Sequence, residues 1–202
     1  MRHTLFNPNG VSSGDMILAY NSGTGDFNGW MHDGYGDWDK VATVTKKGVS
    51  VSSAEVTRLP RGNAFWLVRS EPSEYIYMLG RHTGDDYVVE LAGGSDKEPG
   101  HTLVANPTMN DVDLNNLVFV DKDGNVATPA VVDRIVTQNI AGLQTIYFRN
   151  AGNTQWGCKV LQRIGNRTKQ VWSPGGTIPA GTGFWYMRTG DEALKIKFEA
   201  AR

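Results

Sequence analysis

The segment from Trp30 to Asp39 contains the side chains best suited to binding a ligand, in the order Trp-Met-His-Asp-Gly-Tyr-Gly-Asp-Trp-Asp. Aromatic rings pack against the apolar faces of sugars, and nearby carboxylates accept hydrogen bonds from hydroxyl groups. The segment therefore predicts a carbohydrate-binding loop that uses six side chains: Trp30, His32, Asp33, Tyr35, Asp37 and Trp38. The alternative interpretation is a Gly-rich hairpin whose tryptophans close a hydrophobic core.

A second set of oxygen-bearing side chains is Asp121, Asp123 and Asn125, whose spacing is typical of the first ligands of a calcium loop. The distal Glu that completes such a loop does not follow. Asp-Gly at 123–124 also favours a tight hairpin turn, which explains the segment without a metal. We therefore predict no cofactor, with calcium at these three residues as the alternative.

The sequence lacks the usual arrangements of nucleophilic catalysis. There is no Gly-x-Ser-x-Gly motif, and Cys158 is the single cysteine and has no neighbouring histidine. No Gly-rich phosphate loop precedes a helix. A non-catalytic protein is the prediction, and a glycoside-acting or metal-dependent enzyme is the alternative.

The composition excludes several classes of partner. With 20 basic and 21 acidic residues the net charge is -1, and the basic residues are scattered along the sequence, so a nucleic-acid partner is not expected. No apolar run approaches the roughly 20 residues of a membrane-spanning helix. A single cysteine also excludes an intramolecular disulfide.

The positioning elements follow from a duplication within the chain. Residues 59–69, Leu-Pro-Arg-Gly-Asn-Ala-Phe-Trp-Leu-Val-Arg, recur at 178–188 as Ile-Pro-Ala-Gly-Thr-Gly-Phe-Trp-Tyr-Met-Arg. Other pairs keep the same order: His3-Thr4-Leu5 with His101-Thr102-Leu103, Asn7-Pro8 with Asn106-Pro107, Asp15 with Asp133, Ile17 with Ile135, Asn21 with Asn139, and Trp38 with Trp156. A repeat of this length predicts two copies of one folding unit.

The repeated motif has a structural explanation. Its residues are Pro60, Gly62, Phe65 and Trp66 in the first copy, and Pro179, Gly181, Phe184 and Trp185 in the second. Proline suits the position before a strand, and glycine permits a turn that other residues resist. Alternation along the strand places Phe and Trp on opposite faces, so both faces are apolar and a central strand is predicted.

Apolar and polar residues alternate in several segments bounded by turn residues, which predicts strands: 16–20, 74–79, 87–91, 134–138, 145–149 and 194–198. We predict an all-β protein of two tandem antiparallel units, sandwich-like or jelly-roll-like, at 1–95 and 96–202. An insertion at about 108–130 is expected to hold at most one or two short helical turns. The Gly-rich residues 92–100 are interpreted as the segment between the copies, which are expected to pack together.

The Asn-Pro segments and the Pro-x-Gly-x-Gly-Phe-Trp strand at 179–185 resemble a group of bacterial secreted and cell-surface β-repeat proteins. The first copy departs from the pattern, because Ala64 stands where the second has Gly183. The resemblance implies an extracellular β-rich module of unknown biochemical function, with no catalytic residues to carry over. Tandem β units with an uncovered strand edge can recruit a neighbouring chain, so we predict a non-catalytic structural or adhesive module that binds itself, another surface protein or a glycan. Residues 1–3 lead directly into a strand-like segment without the apolar stretch of a signal peptide, so the expected location rests on the resemblance.

Overall fold

The predicted all-β class is confirmed by a computed structural model. The structure describes residues 11–35, 38–45, 48–50, 62–70, 86–139, 141–149 and 154–199, and of residues 40–45 and 48–50 it describes only the backbone. These ranges contain sixteen strands and no α-helix. No helix among them is long and apolar enough to cross a membrane. Several predicted elements lie outside the described residues: the strand at 74–79, Pro60 and Asp37.

The chain divides into two compact units, one made of 1–60 and 65–84 and the other of 61–64 and 85–202. The first unit contains strands β1 to β5, at Met16–Asn21, Asp26–His32, Trp38–Thr45, Gly48–Ser50 and Phe65–Val68. They form one antiparallel sheet in the order β4-β3-β2-β1-β5. A small core of Ile17, Ala19 and Trp30 covers one face of this sheet.

The second unit contains strands β6 to β16, at Tyr87–Leu91, Gly100–Ala105, Val112–Asp113, Val118–Val120, Arg134–Gln138, Gln144–Arg149, Trp156–Ile164, Arg167–Pro174, Thr177–Ile178, Gly183–Arg188 and Leu194–Phe198. A six-stranded sheet has the order β13-β12-β11-β10-β15-β7, and a three-stranded sheet has the order β6-β16-β9. One 3₁₀ turn, Leu114–Asn116, lies in the predicted insertion. Strand β6 pairs with β16 and so belongs to the second unit, although the sequence interpretation placed it in the first.

The core of the second unit lies between its two larger sheets. Val104, Ile135, Phe184 and Tyr186 face inward from the six-stranded sheet, and Ile196 faces them from the three-stranded sheet. All of these are buried because inward and outward side chains alternate along each strand. This arrangement is a β-sandwich.

Five strands of each unit have the same order, and the pairing with the Phe-Trp strand has the same register in both. In the first unit β1 pairs with β2 and β5, and in the second β10 pairs with β11 and β15. Ile17 lies opposite Leu67, and Ile135 lies opposite Tyr186, which are matching positions of the two copies. The duplication itself stays a prediction, and this common topology is what it requires.

Candidate functional site

The six side chains of the predicted carbohydrate loop do not form one exposed surface. Trp30 lies in the core of the first unit, and His32 is buried with its ring 5.1 Å from that of Trp38. Both point inward because they stand two residues apart on strand β2. Tyr35 is 96% exposed, and its N–H donates to the Asp33 carboxylate at 2.6 Å. Within the described residues, Tyr35 alone of the predicted aromatic rings presents most of its surface to solvent.

The predicted calcium residues form a hydrogen-bonded turn. The Asp121 carboxylate accepts from the N–H groups of Asn125 at 2.9 Å and Asp123 at 2.8 Å. The bond from Asn125 is the main reason that the pKa of Asp121 lies below its usual value. The Asp123 carboxylate forms an ion pair with the Lys122 ammonium group, at 2.8 Å. Asp121, the first of the predicted calcium ligands, therefore accepts hydrogen bonds within the turn. The described residues contain no group of three His, Cys, Asp or Glu placed to hold a metal ion.

The repeated Phe-Trp strands serve the fold. Gly62 and Gly181 have φ angles of +81° and +67°, which only glycine adopts without strain. Strand β15 is central in its sheet and buries Phe184, while Trp185 on its other face is half-buried. Strand β5, by contrast, is the last strand of its sheet among the described residues and not a central one as predicted, and Trp66 on it is 38% exposed. Pro179 lies between strands β14 and β15, as a residue without an N–H donor should.

Sequence reasoning missed the role of two fully buried aspartates, Asp15 and Asp133, although it matched them between the copies. Asp15 accepts from the Ser70 N–H at 2.7 Å. At the corresponding place Asp133 accepts from the Thr189 N–H at 3.3 Å and from the Tyr186 hydroxyl at 2.8 Å. Each carboxylate thus joins the start of one strand to the end of the Phe-Trp strand. Their recurrence in both copies was the available signal.

We expect acid to weaken the first unit through Asp15. Burial opposes ionisation of this carboxyl, but hydrogen bonds from Ser12 and Ser70 and the charge of Arg69 outweigh it and hold its pKa below the usual value. A lowered pKa in the folded state stabilises the fold above the ordinary value near 3.9, and this contribution is lost as the pH falls through the folded pKa. Thermal unfolding of the wild type and Asp15→Asn between pH 7 and about pH 2 measures this. The advantage of the wild type should disappear at low pH, and a constant difference would contradict the expectation.

The most exposed structure in the second unit is a two-stranded ribbon formed by β12 and β13, residues 156–174. Every residue from 159 to 170 is exposed. Leu161 is 72% exposed, and Val160 and Ile164 are 40% and 48% exposed. Four basic side chains accompany them, with no acidic residue in the ribbon: Lys159, Arg163, Arg167 and Lys169. We call this element the basic ribbon.

The description of the basic residues as scattered is wrong for the second unit. Residues 134–190 contain seven Lys or Arg and no Asp or Glu, whereas residues 85–133 contain ten Asp or Glu and two Lys or Arg. A count over the whole chain hides this segregation because the two segments nearly cancel. A charge count by segment would have found it.

A shallow groove of about 210 Å³ lies elsewhere in the second unit. It is lined by three carboxylates, one cation, two neutral polar residues and apolar side chains: Asp111, Asp113, Glu199, Lys197, Thr108, Asn116, Val112, Leu117, Val118 and Phe198. One oxygen of Asp113 accepts from the Asn115 N–H at 2.8 Å, and one of Asp111 accepts from the Ala180 N–H at 3.0 Å. The other oxygen of each bonds to none of the residues in the described ranges. We call this surface the acidic groove.

Comparison with known proteins found no matching family model, no matching curated protein and no matching solved structure.

Proposed function

We propose that the protein is a non-catalytic structural or adhesive module of a bacterial surface, which binds a partner instead of transforming a substrate. The observation that supports this function is the basic ribbon. Its outer residues contribute nothing to the core, yet they include Leu161 and Ile164 in exposed positions. Exposed apolar side chains that recur in one projecting element are typical of a contact surface.

The backbone of the ribbon also suits binding. Strand β13 is the last strand of its sheet, and among the described residues no strand pairs with its outer edge. An open edge can accept a further strand through main-chain hydrogen bonds, while side chains on both faces select the partner. Nine-residue strands such as β12 extend about 30 Å, at about 3.3 Å per residue, so the ribbon reaches well beyond the core.

A glycan-binding role remains the alternative, supported by the exposed ring of Tyr35. Its weakness is that Trp30 is buried in the core and offers no second ring for stacking. An enzymatic role has the acidic groove in its favour, because Asp111 and Asp113 lie together there. Both carboxylates, however, are exposed to solvent and hold backbone N–H groups of neighbouring turns, which is a structural task.

The ribbon variant Leu161→Ser/Ile164→Ser tests the proposal. Purified protein is mixed with isolated bacterial envelopes and the bound fraction is measured by sedimentation, alongside self-association by analytical ultracentrifugation. We expect the variant to lose about tenfold or more in whichever association the wild type shows, because two apolar contacts together contribute about 1.4 kcal/mol or more.

Val126→Ser/Val131→Ser is the matched control, since it removes two exposed apolar side chains of the same unit outside the ribbon. It should associate like the wild type. A wild type that neither self-associates nor binds envelopes would contradict the proposal. Glycan binding that Tyr35→Ala abolishes and the ribbon variant preserves would favour the alternative.

A further inference from the structure

Acidic and basic residues of the second unit are segregated along the sequence. The segment 134–190, with seven basic and no acidic residues, supplies five of the six strands of the large sheet. The segment 85–133, with ten acidic and two basic residues, supplies strands β6 and β9 of the three-stranded sheet. Within the three-stranded sheet Lys195 pairs with Glu90 at 3.1 Å, so the carboxylates that can complement the ribbon in charge are those of the acidic groove. Such complementarity favours contact between two copies of the same chain.

The basic ribbon combines this positive charge with apolar groups on both of its faces. Cross-strand pairing places Ile164 opposite Arg167 on one face and Arg163 opposite Thr168 on the other. Leu161 lies on the same face as Arg163, two residues away. The end of the ribbon thus presents guanidinium groups next to aliphatic side chains.

The acidic groove has the complementary composition. Asp111, Asp113 and Glu199 stand beside the apolar Val112 and Phe198. Lys197 also lines the groove, 3.7 Å from Glu199, so three carboxylates face one cation and the groove keeps an excess of negative charge. Its volume of about 210 Å³ is smaller than the roughly 300–1,000 Å³ of a small-molecule site, and matches one or two side chains of a partner. The groove is not occupied by the ribbon of its own chain, because residues 159–170 are all exposed.

We propose that the end of the basic ribbon of one copy docks in the acidic groove of a second copy. This inference rests on the proposed binding function and names its partner as another molecule of this chain. Ribbon and groove are different surfaces, so the contact is heterologous and each added copy leaves one ribbon and one groove free. Such a contact builds open chains or rings, which suits a structural module.

Two variants separate the halves of this contact. Arg163→Glu/Arg167→Glu reverses the charge of the ribbon and leaves the groove intact. Asp111→Asn/Asp113→Asn/Glu199→Gln removes the three negative charges of the groove and keeps an oxygen acceptor at each position, so the hydrogen bonds from Asn115 and Ala180 can still form. Thermal unfolding of each variant confirms that it is folded before association is measured.

Analytical ultracentrifugation at low salt gives the result. We expect the wild type to form a series of oligomers that dissociates as the salt rises from about 0.05 to 0.5 M, because screening weakens contacts between exposed charges. Each variant alone should stay monomeric at concentrations where the wild type assembles, because its self-association is weakened about tenfold or more. A mixture of the two should give a 1:1 heterodimer and nothing larger, because only one intact ribbon and one intact groove remain.

Lys97→Glu/Lys122→Glu is the control, since it makes the same change in net charge at two exposed residues of the acidic segment. It should assemble like the wild type. The inference is overturned by a monomeric wild type, by assembly that survives the ribbon change, or by a mixture that gives no heterodimer. Ribbon-dependent binding to envelopes or to a DNA duplex by a monomeric wild type would also overturn it; the envelope result would leave the proposed binding function standing.

Discussion

Gly94→Ala should destabilise the second unit by about 3 kcal/mol or more, one of the two largest effects that we expect from a single substitution. Gly94 lies in the loop between β6 and β7, and its N–H donates to Gly190 O at 3.0 Å. A Cβ at this position would meet the backbone nitrogen of Gly100 and would lie 2.6 Å from Arg188 O. These are backbone atoms of paired strands and cannot move aside as a flexible side chain does. Urea unfolding monitored by circular dichroism measures the loss, which corresponds to roughly 10 °C in the thermal midpoint.

Gly23→Ala is the matched control, because its Cβ would meet only the exposed side-chain oxygen of Asn21, at 3.3 Å. It should change the free energy of unfolding by less than about 0.5 kcal/mol. If Gly94→Ala were as well tolerated as Gly23→Ala, the close backbone contact of this loop would not be present in solution. Neither glycine has a positive φ, so the comparison isolates the steric effect from backbone strain.

Asp133→Ala should cost about 3–5 kcal/mol of the stability of the second unit. The carboxylate is fully buried and accepts from the hydroxyl of Tyr186, which is itself fully buried. Its removal leaves the buried Tyr186 hydroxyl and the part-buried Thr189 N–H without this acceptor. Burial of the Tyr186 hydroxyl, together with the neighbouring Asp133 charge, raises the pKa of Tyr186 well above its ordinary value.

Tyr186→Phe separates the hydrogen bond from the rest of the site. It keeps the ring in the core and should cost about 1–3 kcal/mol, because Asp133 loses one of its donors. The double variant Asp133→Ala/Tyr186→Phe should lose less free energy of unfolding than the sum of the two single losses, because neither group is then left without its partner. Additive losses would show that the two groups do not interact. Asp123→Ala, at an exposed turn, should have an effect within about 0.5 kcal/mol.

The strands were the most predictable part of the fold. The segments 16–20, 87–91, 134–138, 145–149 and 194–198 all form strands within one residue of the predicted bounds. Their apolar residues alternate with polar ones, and a half-buried strand requires that local pattern. The all-β class followed directly, because the class depends on the elements and not on their arrangement.

The Gly-rich stretch at 92–100 was harder to interpret. Its composition is equally typical of a flexible connection and of a tightly packed loop. In the structure it is a packed loop within the second unit, where Gly94 and Gly100 allow backbone atoms to approach each other. The need for glycine comes from neighbours distant in sequence, such as Arg188, which no local pattern reveals.

The candidate sites, too, were only partly predictable from local sequence. The aromatic segment at 30–39 was interpreted from residue types, but the direction of each ring depends on its place along β2 and β3. Trp30 and His32 point inward for that reason, and Tyr35 beyond the end of β2 points outward. The basic ribbon was missed because the charge was counted over the whole chain, although its four basic residues lie close together between 159 and 169. Their projection from the sheet as one exposed hairpin follows only from the pairing of β12 with β13.

The sequence by itself predicted the strand pattern, the all-β class and the two glycine turns with positive φ, and it matched the two aspartates. Each of these depends on the chemistry of a residue and its close neighbours. Pairing in three dimensions decided which aromatic rings are buried and why Gly94 must be glycine, and it brought Asp111, Asp113 and Glu199 into one groove. These properties depend on contacts between residues far apart in the chain. Burial, steric fit and charge complementarity are set by the distances between such residues, and only folding determines those distances.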